Sequence, residues 1–284
     1  MRNSKLGAVL VAPSFVFLFV ILIIPLFYTI YISFYDMKHL QITGFAGLGN
    51  YLEVFKSPEI ISSFKITFIV TFVGLLIAII AGTLMALWIN SKKGFVAYLM
   101  QIIVLVPWVI SMVVGALLWK WIFNSLGLIN YVFDLMGMKS IDILANPNTA
   151  LIALIFVIAW RTVGFAMVLI LAGLKSIPKE LEEAGYVDGA NKWDVFWRIK
   201  VPLLKSPMLV TTTMLMLSNF NNVDVPMVLT GGGPGNATNV ITMELYRQGF
   251  VYYNFGLASA LSIVALIVNI VLIAIYIRMV RYNA

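Results

Sequence analysis

Six long apolar runs alternate with shorter polar segments along the chain. The runs cover residues 8–34, 66–89, 96–119, 149–174, 208–229 and 256–277. Each is longer than the roughly 20 residues that an α-helix needs to cross the hydrocarbon core of a bilayer. Because lipid offers the backbone no hydrogen-bonding partners, segments at that depth are expected to be helical. The pattern therefore predicts an all-α, polytopic membrane protein with six transmembrane helices.

The polar segments between the runs are too short to form a soluble domain. We therefore expect a single transmembrane domain over residues 1–284. The first outer segment, residues 35–65, is expected to lie on the membrane surface and to be partly helical. A glycine-rich stretch at 230–235 lacks the lysine of a phosphate-binding loop. We interpret it as a sharp, flexible exit from the fifth helix.

Composition narrows the function classes. Of the 284 residues, 62% are hydrophobic and 11% are charged, well below the roughly 25% typical of soluble domains. Cysteine does not occur, which excludes disulfides and thiolate metal sites, and the only histidine, His39, is interpreted as a solvated loop residue. No nucleotide-binding P-loop motif is present. We predict no catalytic residues, no metal site and no cofactor in this chain.

The net charge of +7 could indicate either nucleic-acid binding or membrane orientation. With the N-terminus inside the cell, the cytoplasmic segments carry twelve of the 19 basic residues and the longer outer loops carry six. This is the positive-inside distribution. It predicts a multi-pass protein of the cell membrane with both termini in the cytoplasm and no nucleic-acid partner.

The longest cytoplasmic segment, residues 175–207, is expected to form two helices joined by a turn. We predict Ser176 as the N-cap of the first helix, with Pro178 in its first turn, because these residues are favoured there. Asp188-Gly189 should break the helix, and Pro202 should end the second one. The small residues around 184–185 leave a surface that another protein could approach; the alternative is a loop lying on lipid headgroups.

Arg161 lies near the middle of the fourth apolar run, where a charge costs about 2.5–3.5 kcal/mol on insertion scales. It is expected either to pair with Asp224 of the fifth run or to contact the transported substrate. Asn219 and Asn222 are three residues apart on one predicted helical face. Their amides could bind a polyhydroxylated ligand or form hydrogen bonds between helices.

Several sequence blocks in the same order resemble the permease subunits of binding-protein-dependent ABC sugar importers, in the maltose and glycerol-phosphate branch. The most diagnostic block resembles the family's EAA coupling motif, with a glycine where the family usually has a second alanine. The blocks are Phe45-Ala46-Gly47-Leu48-Gly49-Asn50-Tyr51, the segment from Pro107 through Trp119-Lys120-Trp121 to Gly127-Leu128-Ile129-Asn130, Glu183-Ala184-Gly185 with Asp188-Gly189-Ala190, Ile199 and Pro202, and Leu229-Thr230-Gly231-Gly232-Gly233-Pro234 with Tyr246, Phe250 and Phe255-Gly256-Leu257-Ala258-Ser259-Ala260.

The resemblance implies the fold of a type I ABC importer permease and a set of partners. These are a second permease subunit, two cytoplasmic ATPase subunits that hold ATP and magnesium, and an extracytoplasmic solute-binding protein. Segment 175–207 would dock into a cleft on an ATPase subunit. The coupling residues would be Glu183, Ala184, Gly185, Asp188 and Gly189.

The resemblance also implies substrate contacts in the fourth and fifth helices. A carbohydrate, most simply an oligosaccharide, is the expected substrate, because Phe165 could stack on a sugar ring and Arg161 could bind hydroxyls or an acidic group. The alternatives are glycerol phosphate or another polyol, and an ion-coupled secondary transporter. The positions that match the family's sugar contacts are Ile158, Arg161, Thr162, Phe165, Leu215, Asn219 and Asn222.

Overall fold

The computed structural model describes residues 11–282, with side chains to residue 280. The start of the first apolar run, the basic residues Arg2 and Lys5, and the side chain of Arg281 lie outside the described part. The helices are α1 Val11–Ser33, α2 Gly49–Lys56, α3 Pro58–Asn90, α4 Phe95–Val109, α5 Met112–Ile122, α6 Leu128–Leu135, α7 Pro147–Lys175, α8 Lys179–Val187, α9 Lys192–Leu203, α10 Lys205–Phe220, α11 Asp224–Leu229, α12 Ile241–Tyr246 and α13 Phe255–Tyr282, and the strands are β1 Tyr35–Lys38 and β2 Gln41–Phe45.

Four helices are long and apolar enough to cross a membrane, namely α1, α3, α7 and α13. Two further spans are bent pairs: α4 and α5 meet at 97°, and α9 and α10 meet at 60°. With each bent pair counted once, the described chain has six spans, the number that the apolar runs predict; in the second pair, α10 covers the start of the fifth run and α9 precedes that run. The protein is a multi-pass, almost entirely helical membrane protein, as predicted.

The third apolar run is not one straight helix. It breaks between α4 and α5, where Ile110 has an extended backbone. Pro107 lies inside the last turn of α4. A proline in that place removes a backbone donor and presses its ring against the carbonyl four residues earlier, so it favours a kink or an end of the helix.

The fifth run also breaks, which corrects the expectation of a helix through residue 229. Helix α10 ends at Phe220, and α11 starts only at Asp224. The two asparagines between them hydrogen-bond the backbone: Asn221 Nδ2 donates to the Leu217 carbonyl at 2.9 Å, and Asn222 Oδ1 accepts from the Val225 N–H at 3.1 Å. Asparagine side chains compete with helical hydrogen bonds in this way. Asp224 therefore lies on the short helix and not in the long one.

One compact unit comprises the described residues up to Ser62 together with Glu244–Val268. It contains the antiparallel pair β1–β2, in which Tyr35 faces Phe45 and Lys38 faces Gln41. This hairpin was not predicted, although its residues alternate between polar and apolar types. The predicted surface helix in this segment is present as α2, while α3 begins at Pro58, eight residues before the apolar run.

The loop of the hairpin contains His39, which is exposed, as predicted. The His39 ring stacks on the Tyr253 ring with centroids 5.7 Å apart, and the backbone N–H of His39 donates to the Tyr253 carbonyl at 3.0 Å. The solvated histidine thus also ties the hairpin to the segment before α13.

The second unit comprises Ser63–Met243 and the end of α13 from Asn269. Helix α7 is its centre, because 56% of the most apolar stretch of α7 is buried, compared with 33% or less in the other long helices. Both hydrophobic cores of the unit include residues of α7. Helices α4 and α10 both pack against it.

Glycines allow the backbone of α7 to lie in direct contact with the backbones of neighbouring helices. A Cβ on Gly82 of α3 would lie 2.6 Å from the Cβ of Ala166 and 3.0 Å from the Met167 nitrogen. Gly164 of α7 lies against the Val104 carbonyl of α4 in the same way. Close contact through small residues is the usual means by which membrane helices associate, since lipid gives no hydrophobic drive.

The glycine-rich stretch after α11 is held by hydrogen bonds, which corrects its interpretation as a flexible exit. The buried Thr238 hydroxyl lies 2.7 Å from the hydroxyl of Thr230 and donates to the Gly233 carbonyl at 2.7 Å. The next residue, Asn239, donates to the Ser63 hydroxyl at 3.1 Å. The stretch is therefore an ordered turn anchored to α3.

The approach of α3 to α7 gives a stability prediction. Gly82→Ala is expected to lower the unfolding midpoint in detergent, because overpacking costs about 1–3 kcal/mol. Gly74→Ala on the same helix is the matched control, since its Cβ would have nearest neighbours at 3.6 Å. That variant should leave the midpoint unchanged or raise it slightly, because alanine favours helix over glycine by up to about 1 kcal/mol. Equal shifts of the midpoint in the two variants would contradict the close approach.

Candidate functional site

Helices α7 and α10 carry six of the seven predicted substrate positions, and Asn222 follows just after α10. The two helices pack against each other, so the fold brings these positions into one region of the second unit. Five of the seven are enclosed, with exposed fractions of 8% or less: Ile158, Thr162, Leu215, Asn219 and Asn222. Arg161 and Phe165 are half-buried.

Three of the enclosed positions have their interactions within the chain. Ile158 and Leu215 belong to the two hydrophobic cores. The Thr162 hydroxyl donates to the Ile158 carbonyl at 2.8 Å, inside its own helix. These three side chains shape the wall of the region and offer no free polar group in this conformation.

Asn219 differs from every one of these. Its side chain is 3% exposed, and neither its Nδ2 nor its Oδ1 has a hydrogen-bonding partner. The amide lies beside Gly74 of α3, where a Cβ would be 3.6 Å from Nδ2. A buried polar group without a partner costs about 1–3 kcal/mol, and an amide can form up to four hydrogen bonds. Asn219 therefore has its full hydrogen-bonding capacity unused.

Asn222 does not share a helical face with Asn219, because α10 ends before it. Its Oδ1 accepts the Val225 N–H, and its carbonyl accepts from the Thr242 hydroxyl at 3.0 Å. The argument from the spacing of three residues is therefore wrong, although both amides lie at the same end of α10.

Arg161 lies over an aromatic stack. Its guanidinium carbon is 4.7 Å from the centre of the Trp108 ring, and Nη2 donates to the Trp108 carbonyl at 3.4 Å. The Trp108 ring stacks in turn on Phe165, with centroids 4.4 Å apart and planes 25° from parallel. Trp108, at the end of α4 beside Pro107, is a site residue that sequence reasoning missed.

One of the two expectations for Arg161, a pairing with Asp224, is not met as an ion pair. Among the described residues, no carboxylate oxygen lies within 4.0 Å of Arg161. Asp224 is exposed at the start of α11, close enough to interact electrostatically with the guanidinium. The break after Phe220 places this carboxylate outside the long helix and accounts for the missing contact.

Helices α8 and α9 form the second candidate site, which we call the α8–α9 hairpin. Helix α8 ends at Val187, and Gly189, just after its C-cap Asp188, has a φ of +85°. The Ala190 N–H donates to the Gly185 carbonyl at 2.9 Å and the Gly189 N–H to the Tyr186 carbonyl at 3.1 Å, which is a Schellman motif. The predicted break at this glycine is confirmed.

The start of α9 is fixed by a capping box, in which the Asn191 side chain accepts from the N–H groups of Trp193 and Asp194.

Two details of the predicted helix ends in segment 175–207 are wrong. Ser176 ends α7 instead of starting α8, because its hydroxyl bonds back to the Gly173 carbonyl at 2.8 Å. Pro202 does not end α9, which continues to Leu203.

Contacts between α8 and α9 decide which predicted coupling residues face outward. A Cβ on Gly185 would lie 2.8 Å from Ile199 Cδ1, so the glycine faces α9 and allows the two helices to approach. Lys200 of α9 pairs with Glu182 at 2.8 Å. The exposed coupling positions are Glu183, Ala184, Asp188 and Gly189. The two helices of the hairpin are therefore in direct contact, and the exposed coupling positions are acidic or small.

Among the described residues, no group of three or more histidines or carboxylates is placed to hold a metal ion. The amides, the guanidinium and the aromatic stack are groups that bind a ligand through hydrogen bonds, charge and ring contacts.

The chain is similar to known transport proteins over most of its length. Residues 74–284 match the family described as "Binding-protein-dependent transport system inner membrane component". The trehalose/maltose transport system permease protein MalF of Thermococcus litoralis is 33% identical, over 99% of this chain and 96% of the relative. The sulfoquinovosyl glycerol transport system permease protein SmoG of Agrobacterium fabrum is 30% identical, over 98% and 91%.

A solved structure has the same fold over almost the whole chain. It is a bacterial ABC transporter involved in the import of the acidic polysaccharide alginate, with a TM-score of 0.85, 25% identity, and coverage of 99% of this chain and 96% of that one. The family transports solutes and does not consist of enzymes. Neither the ion-coupled transporter nor the glycerol-phosphate importer is favoured by these relatives. The chain belongs to the family of inner-membrane components of binding-protein-dependent transport systems, the permease subunits of ABC importers.

Proposed function

We propose that the chain is the permease subunit of an ATP-driven importer of a carbohydrate, most simply an oligosaccharide, and that it forms half of the translocation pathway. The relatives with the names given above handle trehalose or maltose, sulfoquinovosyl glycerol and alginate, all of which are carbohydrates or their derivatives. The whole chain, residues 1–284, acts as one permease domain.

The observation that carries this proposal is the unpartnered amide of Asn219. Folding places it at the meeting of α3, α7 and α10, where an apolar side chain would be more stable. A sugar hydroxyl both donates and accepts hydrogen bonds, so it complements an amide that needs both. When the helices separate, Asn219, Asn222 and Thr162 line the opening with Ile158 and Leu215 around them, and the Arg161–Trp108–Phe165 stack contributes ring contact and charge.

The α8–α9 hairpin transmits the ATP-driven movement of the ATPase subunits to the membrane helices. Its outer surface, formed by Glu183, Ala184, Asp188 and Gly189, docks into a cleft on a cytoplasmic ATPase subunit, while Gly185 holds α8 against α9. A stiff hairpin is required for this role because a flexible one would absorb the movement. ATP and magnesium bind to the ATPase subunits and not to this chain.

The complete importer contains a second permease subunit, two ATPase subunits and an extracytoplasmic solute-binding protein. Both termini of this chain and the α8–α9 hairpin lie in the cytoplasm, in agreement with the positive-inside distribution. Isolation of the chain from its native membrane in mild detergent, followed by mass spectrometry, is expected to recover these three kinds of partner. Recovery of the chain alone, together with transport that does not need ATP, would overturn the assembly.

The unpartnered amide gives a prediction that separates function from stability. Asn219→Leu is expected to raise the unfolding midpoint, because it removes a buried group that costs about 1–3 kcal/mol. The same variant is expected to lower sugar uptake at least roughly tenfold, since hydrogen bonds to the substrate are lost. Both are measured on the reconstituted importer, as thermal unfolding in detergent and as uptake into proteoliposomes.

Asn221→Leu is the matched control for this prediction. That residue is exposed, its Nδ2 donates to the Leu217 carbonyl and its Oδ1 accepts from Asn269 Nδ2 at 3.4 Å, so its replacement should lower stability and leave uptake nearly unchanged. A loss of stability in Asn219→Leu, or unchanged uptake, would show that Asn219 has a purely structural role.

The coupling role gives a prediction for Glu183. Because this carboxylate is exposed, Glu183→Ala should leave the unfolding midpoint unchanged but weaken the association with the ATPase subunits and reduce ATP-driven uptake by roughly tenfold or more. Glu53→Ala, an equally exposed glutamate on α2, is the control and should affect neither. Co-purification of the ATPase subunits and uptake measure the two effects; normal values of both for Glu183→Ala would contradict the proposed docking surface.

A further inference from the structure

The guanidinium of Arg161 is incompletely satisfied. Its Nε is buried without a hydrogen-bonding partner, and the only hydrogen bond of the group within the described chain is the 3.4 Å contact to the Trp108 carbonyl. A guanidinium carries five N–H donors and stays charged at any physiological pH. A charge at membrane depth normally has a counter-charge or a water-filled path beside it.

The protein does not neutralise this charge. Within the described residues no carboxylate oxygen lies within 4.0 Å of Arg161, and Asp224 acts on it only from a greater distance, as an exposed residue at the start of α11. Instead, the contacts of the guanidinium position it. The Trp108 ring lies against one face, and the Trp108 carbonyl is among the last carbonyls of α4, where the helix dipole favours a cation.

The stack on Trp108 also limits how Arg161 can move. The Trp108 ring contacts both the guanidinium and Phe165, which comes from the next turn of α7. A planar group confined in this way keeps its N–H donors in a fixed fork, the geometry that binds the two oxygens of a carboxylate. The site thus holds a fixed positive charge on α7, the helix that packs against α10 and its Asn219.

We propose that Arg161 is the specificity residue for an acidic carbohydrate, a sugar that carries a carboxylate, as in a uronic acid. This rests on the proposed function and names its substrate class. Asn219 binds the hydroxyls of such a sugar, Phe165 and Trp108 contact its ring, and the carboxylate takes the donors of Arg161 that have no acceptor in the protein. A neutral sugar would leave the charge without a counter-charge, which is a penalty that disfavours it.

The experiment compares acidic sugars with neutral sugars of the same shape. The probes are uronic-acid di- to tetrasaccharides of several configurations, each paired with its own methyl ester, which removes the charge and keeps the backbone. Equilibrium binding to the purified whole importer, without the solute-binding protein, is measured by calorimetry for the wild type, Arg161→Met and Arg161→Lys. Arg278→Met is the control, since Arg278 is an exposed arginine near the end of α13.

In the wild type, at least one acid is expected to bind roughly tenfold or more tightly than its ester, because a hydrogen-bonded charge pair is lost in the ester. The ratio of the two affinities should fall close to one in Arg161→Met, recover in part in Arg161→Lys, and stay at the wild-type value in Arg278→Met. A purely structural role of Arg161 would weaken both sugars together and keep the ratio.

Equal binding of acids and esters by the wild type, import of neutral sugars without any binding of acids, or a ratio that survives in Arg161→Met would each overturn the assignment of Arg161 and leave the proposed import of carbohydrate standing. Failure of the importer to bind or transport any sugar, charged or neutral, would instead overturn the proposed function itself.

Discussion

The second unit depends on the close packing of α7 against its neighbours through residues that have almost no side chain. Gly82 brings α3 onto the backbone of α7, and Gly164 brings α7 onto the backbone of α4. In a bilayer, lipid tails compete with apolar side chains on equal terms, so van der Waals contact over a close-fitting surface has to hold the helices together. The distances set by these glycines also fix the position of every polar group on α7, including Arg161.

The helix breaks are the second constraint, because non-helical backbone at membrane depth must find partners inside the protein. At the break after α4, the Trp108 carbonyl receives the Arg161 guanidinium. At the break after α10, the side chains of Asn221 and Asn222 bond to backbone groups on each side. Both breaks therefore bring polar side chains to the ends of helices that pack on α7. The candidate site lies at these breaks because the broken backbone needs polar partners, and the same polar side chains are available to a ligand.

The sequence was sufficient for the features that depend on local chemistry. Apolar runs longer than a bilayer is thick gave the number of spans, and Gly189 gave the turn of the α8–α9 hairpin, because few residues other than glycine adopt its positive φ. The breaks in the third and fifth runs were not predicted, since each run is long and apolar enough overall to count as one span. Pro107 and the run of asparagines were signals for these breaks, and the alternating residues of β1 and β2 were a signal for the hairpin.

Features set by contacts between distant residues could not be predicted. Trp108 and Arg161 are 53 residues apart, and nothing in either segment indicates that a ring and a guanidinium will stack. The inward face of Gly185 depends likewise on Ile199 of the following helix. The seven substrate positions were predicted from a resemblance to a family. Such a resemblance indicates which part of the fold they lie in, but not how buried each side chain is or which hydrogen bonds it forms.

The buried and half-buried polar residues of α7 and α10 differ in what their side chains bond to. Thr162, Thr211 and Thr213 bond to carbonyls of their own helix and need nothing from outside. Asn219 and Arg161 keep buried donors without acceptors, although an apolar residue of similar size would be more stable in either place. Natural proteins accept such a loss of stability mainly at functional sites. Under the proposed function, the unsatisfied groups of Asn219 and Arg161 mark the part of α7 and α10 that meets a ligand, whereas Thr211 and Thr213 have their hydrogen bonds within α10.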